Sequence, residues 1–371
     1  MATYITKPEV DLREELNRAR RPIGNIGNQL YESQTVEEVH RILGGRKNLI
    51  INGAFNIWQR RTAAETIGNK FNCADRWFCY SNQSRFERSE SVPSNQGFNY
   101  SMKMSNFNNT LVLDQPIELP VPGKNWIFTQ GKTFTVSYWA RSTKPIKLLN
   151  RFVFRQNAGS STNEVSPNGL YDNNQNHQLS SEWKRYWHTY TFPYFTLGSG
   201  ITNLTLSIRS SDGATQITPT SGTEIYITGI QMEEGPTASP FEHMHIADEM
   251  NLCQRYFYKL GGEASSGVGT AYTPSTSEIV LQLRHPVRMR AEPTVSFSDD
   301  PSYFRFRYIG NNNYVLSSGA GLNTTQVTEL GGSMWFNSMS HGLSTSGELR
   351  TNESNSTDTW IYLSAELGNS T

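Results

Sequence analysis

The sequence has few charged residues and no long apolar run. Charged residues make up 18% of the 371 positions, and 33 Lys and Arg balance 33 Asp and Glu, so the formal net charge is zero. Without excess positive charge, the chain has no global attraction to nucleic acid or anionic lipid. No apolar stretch approaches the ~18 residues of a membrane-spanning helix, and no signal-peptide pattern opens the chain. We therefore expect no nucleic-acid binding and no membrane insertion.

Cysteine is also scarce, with Cys73, Cys79 and Cys253 in the whole chain. An odd, low count does not support a disulfide framework. Cys73 and Cys79 could pair across a hairpin, but the count favours free thiols in the core. Free thiols suit folding in a reducing cytoplasm.

Sequence motifs for catalysis are missing. The chain has no nucleophile elbow, Walker loop, dinucleotide fingerprint or metalloprotease motif. The adjacent acids Glu233–Glu234 and Asp299–Asp300 cannot face each other across a glycosidic bond, although distant acids could still converge. His243 and His245 share a strand face, but no cluster of Cys or carboxylates completes a zinc site. We expect a non-enzymatic protein with no cofactor and no metal. The pair Arg60–Arg61 reads as solvated surface or a partner contact.

Aromatic residues, at 12% of the chain, are abundant beside many Gly, Asn and Ser. This composition is typical of short strands joined by tight turns. Period-two or short apolar runs recur along the chain. Examples are residues 133–140, 151–156, 186–194, 204–208 and 279–283. The fold class predicted is mainly β, with N-terminal short helices, a jelly-roll β-sandwich over 46–245 and a smaller C-terminal β-sandwich over 263–371. A linking helix is predicted over 246–262.

Residues 1–45 differ from the rest, because apolar residues recur there at helical spacing. They are Leu12, Leu16, Val36, Val39 and Leu43. Thr35 and Glu38 form a capping-box pattern at the start of the second helix. Helices this short are unstable alone in water and must pack on something. We expect a partner-dependent anchoring segment, the alternative being a helical decoration packed on the next domain.

Exposed aromatic rings could stack against the apolar faces of sugars, with Asn and Gln supplying hydrogen bonds. Most rings are expected in the core, since each can bury ~150–250 Å². The clustered rings that we select as ligand candidates are Trp183, Trp187, Tyr303, Tyr308 and Tyr314.

Several segments, in this order and at these distances, resemble a group of tailed-bacteriophage tail fibre or receptor-binding virion proteins. Those in the first two thirds of the chain are NLIINGAFNIWQR (48–60), ADRWF (74–78), FTVSYWAR (134–141), YITGIQMEEGPTASPFE (226–242) and LCQRYFY (252–258). Two later segments, VRMRAEPT (287–294) and IYLSAEL (361–367), resemble the C-terminal domain of such proteins.

The resemblance implies a carbohydrate-binding-module-like jelly roll, a homotrimer whose C-terminal domains touch host-surface glycan or protein through residues 259–371, and an N-terminus docked on phage tail proteins. It implies a protein of the virion tail, made in the host bacterial cytoplasm. The alternative is a structural virion protein, such as a capsid decoration or tail-assembly component, with no receptor role. A third possibility is an enzyme that degrades surface polysaccharide. Within the resemblance, Asn52 and Gly53 suit a tight turn, and Trp58 and Trp77 suit core anchors.

Overall fold

The computed structural model places the chain in two units, residues 1–49 and 50–371. The described residues are 47–62, 65–67, 73–80, 84–119, 128, 131–155, 176–194, 201–212, 215–262, 266–297, 301–308, 312–316, 320–338, 340–351 and 360–367. The predicted attachment segment 1–45 lies outside them, and so do its apolar residues Leu12, Leu16, Val36, Val39 and Leu43.

The first half of the second unit is an antiparallel β-sandwich, with its strands numbered in chain order. Its six-stranded sheet contains, in spatial order, β1 (Glu65–Ile67), β3 (Ser84–Ser89), β4 (Ser101–Ser105), β11 (Ile225–Glu234), β6 (Thr133–Ser142) and β9 (Lys184–Thr191). Its five-stranded sheet contains β2 (Phe78–Tyr80), β5 (Val112–Glu118), β10 (Asn203–Ser211), β7 (Lys147–Arg155) and β8 (Asn176–Gln178).

An aromatic core holds these two sheets together. Phe134 on β6 lies 4.8 Å from Phe128 and 5.3 Å from Phe192, measured between ring centroids, and Phe152 on β7 lies 5.2 Å from Phe192. All four rings are fully buried. Even-numbered residues of β6 therefore face the core, and its odd-numbered residues face outward, as strand alternation requires.

The turn at Asn52 is fixed by hydrogen bonds to neighbouring segments. The Asn52 amide donates to the carbonyls of Ile57 (2.8 Å) and Asp75 (3.0 Å), and its Oδ1 accepts from the Ile57 N–H (3.0 Å). The indole N–H of Trp77 donates to the Asn52 carbonyl at 3.0 Å. Trp77 is fully buried and Trp58 nearly so. The tight turn and the two core anchors expected from the sequence are thus present.

Helix α1 (Ile246–Gln254) is shorter than the predicted linking helix over 246–262. The His245 side chain caps it by accepting from the Ala247 N–H at 3.3 Å. After the helix, Phe257–Gly261 forms strand β12, which pairs with a strand near the end of the described chain. Aromatic residues favour strands, and the pairing buries Phe257 and Tyr258. Residues 257–261 therefore join the sheet, and the helix ends before them.

A second sandwich follows the helix. Its three-stranded sheet contains β12, β21 (Trp360–Ser364) and β15 (Thr294–Phe297). Its seven-stranded sheet contains β17 (Asn312–Val315), β16 (Phe304–Tyr308), β20 (Ser346–Thr351), β13 (Gly267–Ser275), β14 (Glu278–Arg284), β19 (Gly331–Asn337) and β18 (Gly321–Thr328). A 3-10 turn, Pro301–Tyr303, precedes β16. One core unites the sheets through residues such as Leu281, Phe336 and Leu363.

The mainly β fold class with two sandwiches is therefore confirmed for the described residues, whereas the domain limits stay a prediction. Within the described residues, none of the helical structure has the length and apolarity needed to cross a membrane.

A buried ionic cluster, defined as Arg60, Asp75, Arg76 and Glu366, joins the first sandwich to the end of the second. Arg60 lies 3.4 Å from Glu366 and 4.0 Å from Asp75, and Arg76 forms an ion pair with Glu366. The side chain of each member is at most 7% exposed. The sequence predicts solvated surface or a partner contact for Arg60. Carboxylates of the same chain neutralise it instead and allow its burial.

Aromatic rings from the link between the sandwiches cover this ionic cluster. The Arg60 guanidinium lies 3.5 Å from the centroid of the Phe257 ring, and the Arg76 guanidinium lies 3.5 Å from that of Tyr256. Both distances are well within the range of cation–π attraction. The rings therefore stabilise the two cations while excluding water from them.

We expect Asp75 to make stability depend on pH. Burial raises the pKa of Asp75 to about 6 from 3.8, against the opposing effect of Arg60. Because the folded pKa is the higher one, the stability contributed by this proton is complete below pH ~4 and is lost as pH rises through ~6, a change of about 3 kcal/mol. Urea unfolding of the wild type and Asp75→Asn should show their difference in unfolding free energy shifting by that amount between pH 4 and 7.

The control for this pH experiment is Glu182→Gln, which removes an exposed carboxyl before β9. Its unfolding free energy should follow the wild-type pH profile. Parallel profiles for Asp75→Asn and the wild type would show that Asp75 does not titrate in this range.

Candidate functional site

The two tryptophans selected from the sequence lie on the outer face of the six-stranded sheet. Trp187 on β9 stands opposite Ser137, which belongs to the outward-facing residues of β6. Trp183 directly precedes β9 and has the same phase of alternation. Trp187 is 56% exposed, and Trp183 is half-buried. Four residues of extended strand separate the two side chains by about 13 Å.

Arg141 and Tyr226 extend the aromatic surface around Trp183. Tyr226 on β11 stands opposite Arg141 on β6, and its ring centroid lies 6.4 Å from that of Trp183. The Arg141 guanidinium lies 4.0 Å from the Tyr226 ring centroid and 5.8 Å from that of Trp183. One of its nitrogens donates to Ser91 Oγ at 3.1 Å. The buried Tyr226 thus positions a half-exposed cation beside a half-exposed indole ring.

A charged group borders this aromatic surface. Lys103 Nζ lies 2.8 Å from Glu224 and 3.2 Å from Glu87, and the Tyr226 hydroxyl donates to Glu224 at 2.9 Å. The hydrogen bond with Glu224 raises the pKa of Lys103, and the same bond lowers the pKa of Glu224. Both groups are therefore ionised at neutral pH, so that Glu224 can accept hydrogen bonds but holds no proton to give.

The segment after β11, residues 235–243, folds back over another part of the same outer face; we call it the strap. Glu233 accepts from the Ser239 N–H (2.9 Å), the Ser239 hydroxyl (2.5 Å) and the Gln231 amide (2.8 Å). Arg185 on β9 donates to Ser137 Oγ at 2.9 Å and to the carbonyl of Ser239. The strap therefore covers the polar middle of the face. The exposed Trp187 and the group around Arg141 remain open to solvent.

The other candidate rings belong to the second sandwich. Tyr308 and Tyr314 are partly buried against its core, Tyr308 6.0 Å from Phe306 and Tyr314 5.4 Å from His341 between ring centroids. Tyr303 is half-buried in the turn before β16. The structure thus brings Trp183 and Trp187 to one face and places Tyr303, Tyr308 and Tyr314 elsewhere. A ligand role for these five rings stays a prediction.

Sequence reasoning missed Arg141, Tyr226, Lys103 and Glu224. The alternation along 133–142 could have predicted that Arg141 lies on the outer face of the sheet. A local pattern does not, however, predict that β6 pairs with β11. Among the described residues, no group of three or more His, Cys, Asp or Glu could hold a metal ion.

Comparisons with known proteins give structural neighbours only. No family model matches the chain, and no curated protein matches it. The enzymatically active domain of tailspike protein 4 from bacteriophage CBA120 aligns with 51% of this chain at 15% identity and a TM-score of 0.31. The alignment spans 22% of that tailspike chain.

Carbohydrate-binding modules are also among these neighbours. The CBM22-2 xylan-binding domain from Paenibacillus barcinonensis aligns over 43% of this chain and 92% of its own, at 16% identity and a TM-score of 0.31. A further xylan-binding domain from CBM22 covers 48% of this chain and 96% of its own, at 14% identity and a TM-score of 0.30. Scores of this size do not establish a shared function.

Proposed function

We propose that the protein binds carbohydrate on the outer face of the six-stranded sheet, with Trp183, Trp187 and Arg141 as the main contacts. The supporting observation is that two accessible indole rings and a guanidinium share one face of a rigid sheet. Aromatic faces pack against the apolar C–H faces of pyranose rings, and charged groups form strong hydrogen bonds to hydroxyls. A separation of about 13 Å exceeds one pyranose ring, so the two tryptophans contact different residues of a glycan chain.

The states of Glu224 and Asp75 support binding rather than catalysis, and we propose that the protein is not an enzyme. A glycosidase needs a carboxylic acid that is protonated near neutral pH, opposite a carboxylate. Beside the aromatic surface around Trp183, the hydrogen bond with Lys103 lowers the pKa of Glu224. Asp75 has a raised pKa, but it is fully buried in the ionic cluster and out of reach of a polysaccharide.

The biological setting that we propose is a phage tail fibre that contacts host-surface glycan. It is supported by the segments of the sequence that resemble such virion proteins. In this setting residues 1–45 attach the protein to the tail, and the chain assembles as a homotrimer. Three copies would act together and raise avidity well above the affinity of one site. A structural virion protein without a receptor role remains the alternative, and it predicts no adsorption of the purified protein to host cells.

Replacing Trp187 by Ala should weaken glycan binding by about 10- to 30-fold, or about 1.4–2 kcal/mol, just below the threshold of about 2 kcal/mol that defines a hot spot. Because Trp187 is 56% exposed, its loss should leave the fold intact. Binding is measured first on an array of bacterial-surface oligosaccharides and then by titration calorimetry with the best of them. Arg141→Ala should also weaken glycan binding.

The control for the binding experiment is Leu330→Ala, which removes a side chain that is 69% exposed on the second sandwich. It should bind like the wild type. Unchanged binding by both Trp187→Ala and Arg141→Ala would refute the proposed face. A wild-type protein that binds neither the array nor host cells would favour the structural virion role.

A further inference from the structure

The seven-stranded sheet also carries aromatic rings on its outer face. Tyr272 on β13 stands opposite Val280 on β14, which in turn stands opposite Trp335 on β19. Their neighbours Leu281 and Met334 point the other way, into the core. Alternation therefore places Tyr272, Val280 and Trp335 in one row on the side away from the core.

The two rings form one small apolar platform. Tyr272 is 38% exposed and Trp335 is half-buried, whereas Val280 between them has no exposed surface. Their backbones are two strand spacings apart, about 10 Å. Since Val280 is covered, the accessible apolar surface of this row comes from the two rings.

Polar side chains border this platform. One alternation further along the same two strands, the Gln282 amide donates to Ser333 Oγ at 3.1 Å. At the ends of the row, Ser346 pairs with Tyr272 and Asn323 pairs with Trp335. Amide and hydroxyl groups around an aromatic platform supply the donors and acceptors that sugar hydroxyl groups require.

The indole N–H of Trp335 is an unusual feature of the row. It is shielded from solvent and has no hydrogen-bond partner among the described residues. A shielded donor without an acceptor costs about 1–3 kcal/mol. A small rotation of the ring that brings this N–H to a ligand hydroxyl would recover the bond, so the platform gains from an occupant with acceptor oxygens.

We propose that Tyr272 and Trp335 form a second carbohydrate-binding site, independent of the one around Trp183, whose ligand is a pyranose bearing free hydroxyl groups. The size of the platform favours a sugar over a protein partner. The exposed large apolar side chains described on this sandwich, Tyr272, Val315 and Leu330, lie on separate elements. A stable protein interface needs about 800 Å² from each partner, far more than two rings supply.

The test uses the full chain on an array of bacterial-surface oligosaccharides, with the variants Tyr272→Ala, Trp187→Ala and their double. We expect Trp187→Ala to retain binding to a subset of the array, and Tyr272→Ala to weaken that residual binding at least 10-fold. Tyr272→Phe, which keeps the ring, should restore most of it. Hydroxyl-radical footprinting with a retained oligosaccharide should show Tyr272 and Trp335 protected from oxidation.

The two sites fail separately in this experiment. If the double variant binds as well as Trp187→Ala alone, or if Trp187→Ala retains no binding on the array, the second site is overturned while the first stands. If Trp187→Ala and Arg141→Ala both bind like the wild type and Tyr272→Ala loses binding, the first site is refuted and the second is supported.

Discussion

Replacing Glu366 by Gln is expected to lower the free energy of unfolding by about 3–5 kcal/mol. The Glu366 carboxylate is fully buried and faces both Arg60 and Arg76. The substitution would leave two buried guanidinium groups with Asp75 as the one remaining carboxylate of the cluster. Breaking one partner of a buried pair costs more than the pair contributes, because the remaining charge keeps its desolvation penalty.

Urea unfolding at neutral pH measures this loss as a lower midpoint. The matched control is Glu329→Gln, which removes the carboxylate of the pair Arg288–Glu329 at 2.6 Å. Both of those side chains are exposed, at 68% and 38%. A solvated pair contributes roughly 0–1 kcal/mol, so the control should unfold close to the wild type. Equal losses in the two variants would contradict a special role for the ionic cluster.

Replacing Gly53 by Ala is expected to destabilise the protein by about 3 kcal/mol or more. A Cβ at this position would collide with the carbonyl oxygen of Ile230, a backbone atom that cannot move aside alone. The approach is close because the Ile230 N–H donates to the Gly53 carbonyl at 2.9 Å, at a point where the pairing of β11 with β6 is interrupted. Overpacking a core costs about 1–3 kcal/mol, and losing this bond adds about 1 kcal/mol.

The control variant is Gly342→Ala, which measures the cost of replacing a glycine where the new Cβ collides with nothing. Gly342 has a φ of +64° and no neighbour within 4 Å of an added Cβ. Its loss should cost about 1–2 kcal/mol through left-handed backbone strain alone. Thermal and urea unfolding of the two variants should therefore differ clearly. A Gly53→Ala protein as stable as Gly342→Ala would show that the backbone at Ile230 relaxes.

Local patterns predicted the strands because apolar and polar residues alternate within a single strand. Residues 133–140 alternate in the sequence, and the structure puts the even positions in the core. The same patterns could not predict which strands meet. Trp183, Arg141 and Tyr226 are far apart in the chain, and the register that joins them depends on the whole sheet. Trp183 and Trp187 were found because they lie close together in sequence.

Two features were misjudged from sequence for the same reason. Helix α1 ends at Gln254 because β21, about 100 positions later, offers a pairing partner to Phe257–Gly261. Arg60 is predicted as solvated surface or a partner contact, since a sequence does not display the distant carboxylate that neutralises it within the chain. Tertiary partners decide both cases, and they override local propensity and residue type.

The ionic cluster also bears on how long the folded molecule lasts. It joins Arg60 to Glu366, which are 306 positions apart, and we expect contacts of such long range to close late in folding. Contacts that form after the folding barrier slow unfolding without speeding folding. We therefore expect the ionic cluster to set the lifetime of the native state, measured as slow cleavage by proteases and slow loss of glycan binding in storage.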